Sequence, residues 1–377
     1  MSPSLQEEQS SEATAPRLHC ICCALPRSVL RHVAAHAADG HARRLSQHDR
    51  VSARLRAARG TREEAPSPMR TLFAAQPESA PARRGAAKSA ERAVYDAGGA
   101  EELPGRLVRT EGARAVSDPV VNAAYANVGL TLQFYAKVFG RHSLDDQGMA
   151  ITSSVHYGDR FSNAMWTGRQ MLFGDGDGIH IMGFAQSLDI VAHELTHAVT
   201  QSAVPGGLGQ QRRGDKVRLA GQAGALNESF SDVFASMVKQ WHAKQDVREA
   251  DWLIGAGVLA PELGRAVRSL KDPGNPARTY AADDQARDMA GYVPNGDVHA
   301  NSGIPNHAFY LAARALGGHS WERAGRIWYE ALHKLGSRAG FTDAAAATTA
   351  TATALFGDGS AERKAVVAAW RKVKVSA

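Results

Sequence analysis

Residues 189–200 read Asp-Ile-Val-Ala-His193-Glu194-Leu-Thr-His197-Ala-Val-Thr, two imidazoles and a carboxylate set into an otherwise aliphatic run. Ile190, Val191, Leu195, Ala198 and Val199 give that run a dry helical face, so it must fold as a helix that packs on something. With about 3.6 residues per turn, His193 and His197 lie on one face, one turn apart. Both imidazoles then reach one metal ion, and Glu194, beside the first, points to where a reacting water would sit.

A catalytic zinc takes three protein ligands and keeps a fourth position open. No Gly-x-x-His follows His197, so the third ligand must come from elsewhere in the chain. Thirty-one residues after His197, the segment Gly-Ala-Leu-Asn-Glu228-Ser-Phe-Ser-Asp232-Val-Phe also reads as a helix. Glu228 and Asp232 are four residues apart and share a face. Leu226, Phe230, Val233, Phe234 and Met237 make the helix largely buried, where unpaired carboxylates are costly. One carboxylate of the pair can ligate a metal while the other accepts the free N–H of a ligand histidine.

The surrounding chain sets the fold class. Asp118-Pro119 opens a helix that runs to 139, with Gly140 as its cap. Strand-like runs follow at 151–157, 170–173 and 179–182, with Gly-Asp-Gly-Asp-Gly (174–178) as a hairpin tip between the last two. Helical periodicity then dominates over 189–202, 224–243, 301–316, 320–334, 342–355 and 360–373. Strands first and helices after, with no alternating βαβ order, is an α+β arrangement. No run reaches the ~18 apolar residues of a membrane helix, and three cysteines in 377 residues exclude a disulfide-built fold.

The pI near 9.3 is misleading about partners. The first 90 residues hold 14 Lys/Arg against 8 Asp/Glu, whereas the remainder holds 30 of each. The body has no phosphate-seeking bias, so no nucleic-acid partner is expected. Residues 1–60 read as a leader, with apolar positions at 18–36 suited to a turn and a helix. Residues 61–90, rich in Ala, Arg, Pro and Ser, read as a disordered, protease-accessible linker. No secretory signal is visible at residues 1–16.

His-Glu-Leu-Thr-His-Ala-Val-Thr followed by Gly-Ala-Leu-Asn-Glu-Ser-Phe-Ser-Asp resembles the thermolysin family of zinc endopeptidases, over roughly residues 91–377. Matching stretches are SNAMW (162–166), FGDGDG (173–178), VRSLKDP (267–273) and HANSGIPNHAFYLAA (299–313). The run CICCALP (20–26) resembles the propeptide motif of the protealysin-like branch, whose precursors carry a short propeptide. The resemblance implies a two-lobed fold, β-rich over 91–190 and helical over 191–377, with the zinc site between the lobes. It implies one zinc on His193, His197 and Glu228, with Glu194 as general base and Asp232 holding His193. It further implies that His299 steadies the oxyanion, that Asn163 and Ala164 pair with substrate backbone, and that Arg268 grips a substrate carbonyl. Ile190 and Val267 match positions lining the pocket for the residue after the cut bond. The expected activity is neutral endopeptidase cleavage on the amino side of large apolar residues by a monomer, with the chain's own propeptide as inhibitor. The alternative is a catalytically weakened relative serving as a peptide-binding module or specialised effector. The family is mostly secreted, but with no signal peptide visible a cytoplasmic place or non-classical export stays open as the alternative.

Three departures stand out. Leu219, nine residues before Glu228, replaces a tyrosine that would donate to the oxyanion. Pro294 replaces the aspartate that orients the imidazole of His299, leaving Asp297 as a substitute. Lys239 stands where a glutamate would complete a double calcium site with Asp189, and an ammonium opposes a hard cation, so that site is expected to be absent. Cys20, Cys22 and Cys23 all fall in the leader, where a thiolate could also cap the zinc.

Overall fold

A computed structural model describes residues 24–37, 48, 90–213 and 216–376, with backbone alone for 212, 213, 216 and 217. The three cysteines and the linker expected at 61–90, apart from Ala90, lie outside the described residues.

A five-stranded sheet forms the first half, in the order β2-β1-β3-β5-β4. Its members are β1 (Arg92–Asp96), β2 (Arg106–Thr110), β3 (Ile151–Val155), β4 (Ala164–Trp166) and β5 (Met171–Phe173). β1 pairs with β2 and β4 with β5 antiparallel, while β3 lies parallel to both β1 and β5. That order leaves β4 at the end of the sheet with an open edge. Helix α2 (Pro119–Phe139) runs between β2 and β3 and packs on the sheet. Asp118 caps its start by accepting the N–H groups of Val120 and Val121, and Gly140 ends it in the left-handed conformation (φ 69°).

Helices make up most of the second half: α3 (Leu188–Ala203), α4 (Gly221–Ala243), α5 (Val298–Asn301), α6 (Gly303–Leu316), α7 (Ala324–Leu332), α8 (Phe341–Phe356) and α9 (Ala361–Lys372). Two small antiparallel ribbons interrupt them, β6 (Gln210–Arg213) with β7 (Lys216–Leu219) and β8 (Leu253–Ile254) with β9 (Arg268–Ser269). The α+β expectation therefore holds, β-rich first and helical after. One continuous apolar core joins the two halves. Tyr135 of α2 stacks on Phe234 of α4 at 5.8 Å between centroids, and Phe139 of α2 on Tyr329 of α7 at 4.2 Å. No helix among the described residues is long and apolar enough to cross a membrane.

The expected strand at 179–182 does not form; only isolated bridges from Gly176 to Met182 and from Ile181 to Leu259 appear. Asp177 explains this. Its Oδ1 accepts the N–H groups of Ile179, His180 and Ile181, which curls the chain where a strand needs it extended.

In the leader, α1 (Arg27–His36) is a helix that follows a bend at Ala24-Leu25 and an extended Pro26. Ala24, Leu25, Val29 and Val33 are all buried in the main core. Residues 24–37 of the leader are packed as part of the molecule.

Candidate metal centre and substrate cleft

α3 and α4 pack along each other at the heart of the molecule, and their facing sides carry the polar residues found in sequence. His193 and His197 present their Nε2 atoms to one another at 3.1 Å. Glu228 Oε2 lies 3.4 Å from His193 Nε2 and 3.9 Å from His197 Nε2. All three side chains are buried, and their ligand atoms fall within 4.8 Å of one another. Neither oxygen of Glu228 accepts a hydrogen bond among the described residues. A buried carboxylate in that state needs a cation, and two imidazoles plus one carboxylate suit zinc. Burial alone would raise the Glu228 pKa, yet the imidazoles of His299, His197 and His193 hold it well below the usual carboxylate range.

Both ligand histidines are held from behind. Asp232 Oδ1 lies 2.8 Å from His193 Nδ1, while Asn227 Oδ1 and Ser231 Oγ lie 2.7 and 2.9 Å from His197 Nδ1. With Nδ1 so engaged, each Nε2 is left to face the centre. Asp232 is a hub that also accepts from Arg268 Nε and from Asn306 Nδ2, each at 2.9 Å. Burial pushes its pKa up, but Arg268 and His193 outweigh that and hold it at about 2.

Glu194 is fully buried, and its Oε2 accepts the backbone N–H of Trp166 at 2.7 Å. The carboxylate is thereby slung between α3 and the end of β4. His299 comes from α5, with Nε2 3.4 Å from Glu228 Oε2 and Nδ1 2.9 Å from Asp297 Oδ1. The same Asp297 oxygen caps α5 through the His299 N–H, so Asp297 does the orienting that Pro294 cannot. Leu219 is buried, close against Gly224, and its side chain brings no donor.

Asn163, Ala164 and Arg268 meet a peptide already in place. Ala24 N–H donates to Ala164 O at 3.1 Å, Leu25 N–H to Asn163 Oδ1 at 3.2 Å, and Arg268 Nη1 to Ala24 O at 3.1 Å. Residues 24 and 25 thus meet the open edge of β4 through one main-chain hydrogen bond and the Asn163 side chain. Farther along, Ser28 Oγ bonds Tyr280 OH, and His32 Nε2 meets Leu263 O.

His193, His197, Glu194, Glu228, Asp232, His299, Asn163, Ala164 and Arg268 are thus gathered around one site. Asn227, Ser231, Asn306 and Trp166 were not singled out. Asn227 and Ser231 sit inside the quoted helix motif, and Asn306 inside the segment starting at His299. Buried polar residues at those positions were the available signal. Trp166 acts through its backbone, which leaves no trace in side-chain chemistry.

Lys239 lies two turns beyond Asp232 on α4. Its Nζ contacts Asp189 Oδ2 at 3.1 Å, Asp251 Oδ1 at 3.0 Å and Leu253 O at 2.6 Å. Burial works against its charge, but Asp189 and Asp251 raise its pKa overall.

Comparison with known proteins agrees with this geometry. The profile of the thermolysin metallopeptidase catalytic domain matches residues 86–201, and that of its alpha-helical domain matches residues 216–375. An extracellular metalloprotease of Pectobacterium carotovorum subsp. carotovorum is 46% identical over 289 residues, 73% of this chain and 80% of that protein. Protease PrtS of Photorhabdus sp. (strain Az29) is 41% identical over 297 residues, 75% of this chain and 76% of that protein. Among solved structures, the precursor of protealysin, a metalloproteinase from Serratia proteamaculans, superposes with a TM-score of 0.76 at 38% identity, covering 94% of this chain and 100% of that one. The chain belongs to the thermolysin family of metallopeptidases and is a metalloendopeptidase.

Proposed function

We propose that the chain is a zinc-dependent neutral endopeptidase, made latent by its own leader, that cuts on the amino side of large apolar residues. The observation that carries this reading is that Asn163, Ala164 and Arg268 already hydrogen-bond the backbone of Ala24 and Leu25 beside the His193–His197–Glu228 cluster. A zinc held by those three residues supplies Lewis acidity and lowers the pKa of a water toward ~7. Glu194, fixed by the Trp166 N–H, takes the attacking water's proton on its carboxylate and returns it to the leaving amine. His299, steadied by Asp297, faces the developing oxyanion. Arg268 and Asn163 hold the substrate backbone in register, which supplies the orientation part of the rate enhancement.

Ile190 and Val267 support the apolar preference. Both are fully buried and close on the same point, the place where a Cβ on Gly255 would stand. Latency follows because the docked leader uses the groups a substrate backbone needs. Residues 1–60 act as the propeptide, 61–90 as the segment cut on maturation, and 91–190 and 191–377 as the two lobes of the enzyme. The Lys239 ammonium between Asp189 and Asp251 supports the absence of a double calcium site there. The working form is a monomer acting on proteins or peptides. The compartment is extracellular, a reading supported by the Pectobacterium relative being named extracellular. Leu219 favours the second reading, a weakened enzyme serving as a peptide binder.

Casein hydrolysis with and without a chelator tests the proposal. Chelator-sensitive cleavage that zinc restores is expected. No cleavage after the leader is removed would leave the binding role.

A further inference from the structure

The Lys239 ammonium has three N–H donors, and three acceptors from three different parts of the chain meet them. Asp189 belongs to the first turn of α3, Asp251 to the loop before β8, and Leu253 to β8 itself. Asp189 Oδ2 also accepts the N–H of Gly255 at 3.1 Å. The cation and this carboxylate together tie β8 and its following residue to the start of α3.

What they tie together is the wall of the substrate pocket. Ile190 follows Asp189 directly. β8 pairs with β9 through Ile254 and Arg268, and Val267 N–H donates to Ile254 O at 2.9 Å. Gly255 sits at φ +67°, and a Cβ there would meet Val267 Cγ2 at 2.7 Å and Ile190 Cδ1 at 3.3 Å. With so little slack, a shift of β8 by a few tenths of an ångström must move Val267 and Arg268 with it. Arg268 is the residue that grips the Ala24 carbonyl.

We propose that Lys239 is a positioning residue for substrate selection: its ammonium, through Asp189 and the Leu253 carbonyl, holds Gly255, Val267 and Arg268 in register against Ile190. The assignment of this pocket to the residue after the cut bond rests on the function proposed above. An ordinary ion pair that serves stability alone is the competing account. The two differ in what a substitution disturbs.

Two readouts decide between them, the first on the full-length protein and the second on the enzyme after removal of its leader. The first is hydrogen exchange, which does not depend on activity. In Lys239→Met, the Gly255 and Val267 amides should exchange at least about tenfold faster, while the leader and β4 amides stay as in the wild type. Lys239→Arg should restore protection. The second is selectivity between peptides with Leu and with Ala after the cut bond, where pocket discrimination is of order 10–200-fold. Lys239→Met should lose much of that ratio through a raised KM for the Leu peptide, with zinc content unchanged. A variant with a lower melting temperature but wild-type protection at Gly255 and Val267 overturns the proposal. If Lys239→Met does not fold, Lys239→Gln carries the same readouts, because it keeps a donor without the charge. A wild type that cleaves nothing after its leader is removed refutes the functional reading, and exchange at Gly255 still decides the role of Lys239.

Discussion

The N–H of Ala24 donates to the carbonyl of Ala164 at 3.1 Å, so the leader of this peptidase is tied to the edge strand of its own sheet. The bond joins a residue before the enzyme's first strand to the outermost strand of the sheet. On the function proposed above, it would account for latency without distorting the metal centre: residues 24 and 25 engage the edge of β4 and Arg268 and leave the His193–His197–Glu228 cluster intact.

Release of the leader should therefore be adjustable at Leu25, which is buried in the core beside that bond. In Leu25→Asp the leader must bury an unpaired carboxylate, which costs several kcal/mol, or leave the cleft. Freshly purified full-length Leu25→Asp should cleave casein without the lag expected of the wild type. Equal lags in the two proteins would show that the docked leader does not limit activity.

The metal and the base should separate cleanly by mutation. His197→Ala should lose nearly all zinc by elemental analysis. Glu194→Gln should keep one zinc per chain yet lose about 10²–10⁴ in kcat, since an amide cannot accept the water's proton. Wild-type turnover in Glu194→Gln would remove Glu194 from the mechanism.

Asp297 should matter through His299 alone. Asp297→Ala leaves the imidazole without the partner on its Nδ1 and should lower kcat by about 10–100-fold, the range for removing such a supporting partner, with KM little changed. Asp297→Glu should recover part of the loss. A change confined to KM would mean that Asp297 acts on substrate binding.

His156 should make stability depend on pH. Its two ring nitrogens face Asp118 at 2.8 Å and Asp175 at 2.9 Å, joining the start of α2 to the 174–178 turn. Burial lowers its pKa, but Asp175 and Asp118 more than compensate and raise it above 6.5. The folded state thus binds the proton more tightly than the unfolded chain. The contribution is complete below pH 6.5 and fades as pH rises through the folded value. The melting-temperature gap between wild type and His156→Gln should be widest near pH 6 and narrow by pH 9. A gap independent of pH would mean that the imidazolium is not the stabilising form.

Much of the helical half was legible because a helix repeats every few residues. The 224–243 pattern lies within the observed Gly221–Ala243, and 342–355 within Phe341–Phe356. The short strands were not. β4, β8 and β9 span two or three residues each, too few for alternation to register, yet they carry Ala164 and Arg268 to the cleft. The 179–182 stretch alternates like a strand, but the local Asp177 turn overrides it.

From sequence alone, His193 and His197 had to share a face, and Glu228 and Asp232 another, because residues four apart within one helix are related by the helix's own hydrogen-bonded geometry. That Glu228 faces the Nε2 atoms while Asp232 backs His193, that Asp297 reaches the His299 ring, and that Ala24 bonds Ala164 were decided by tertiary structure. Those relations join separate elements, and their distances come from how apolar faces pack and how buried polar groups find partners across the chain.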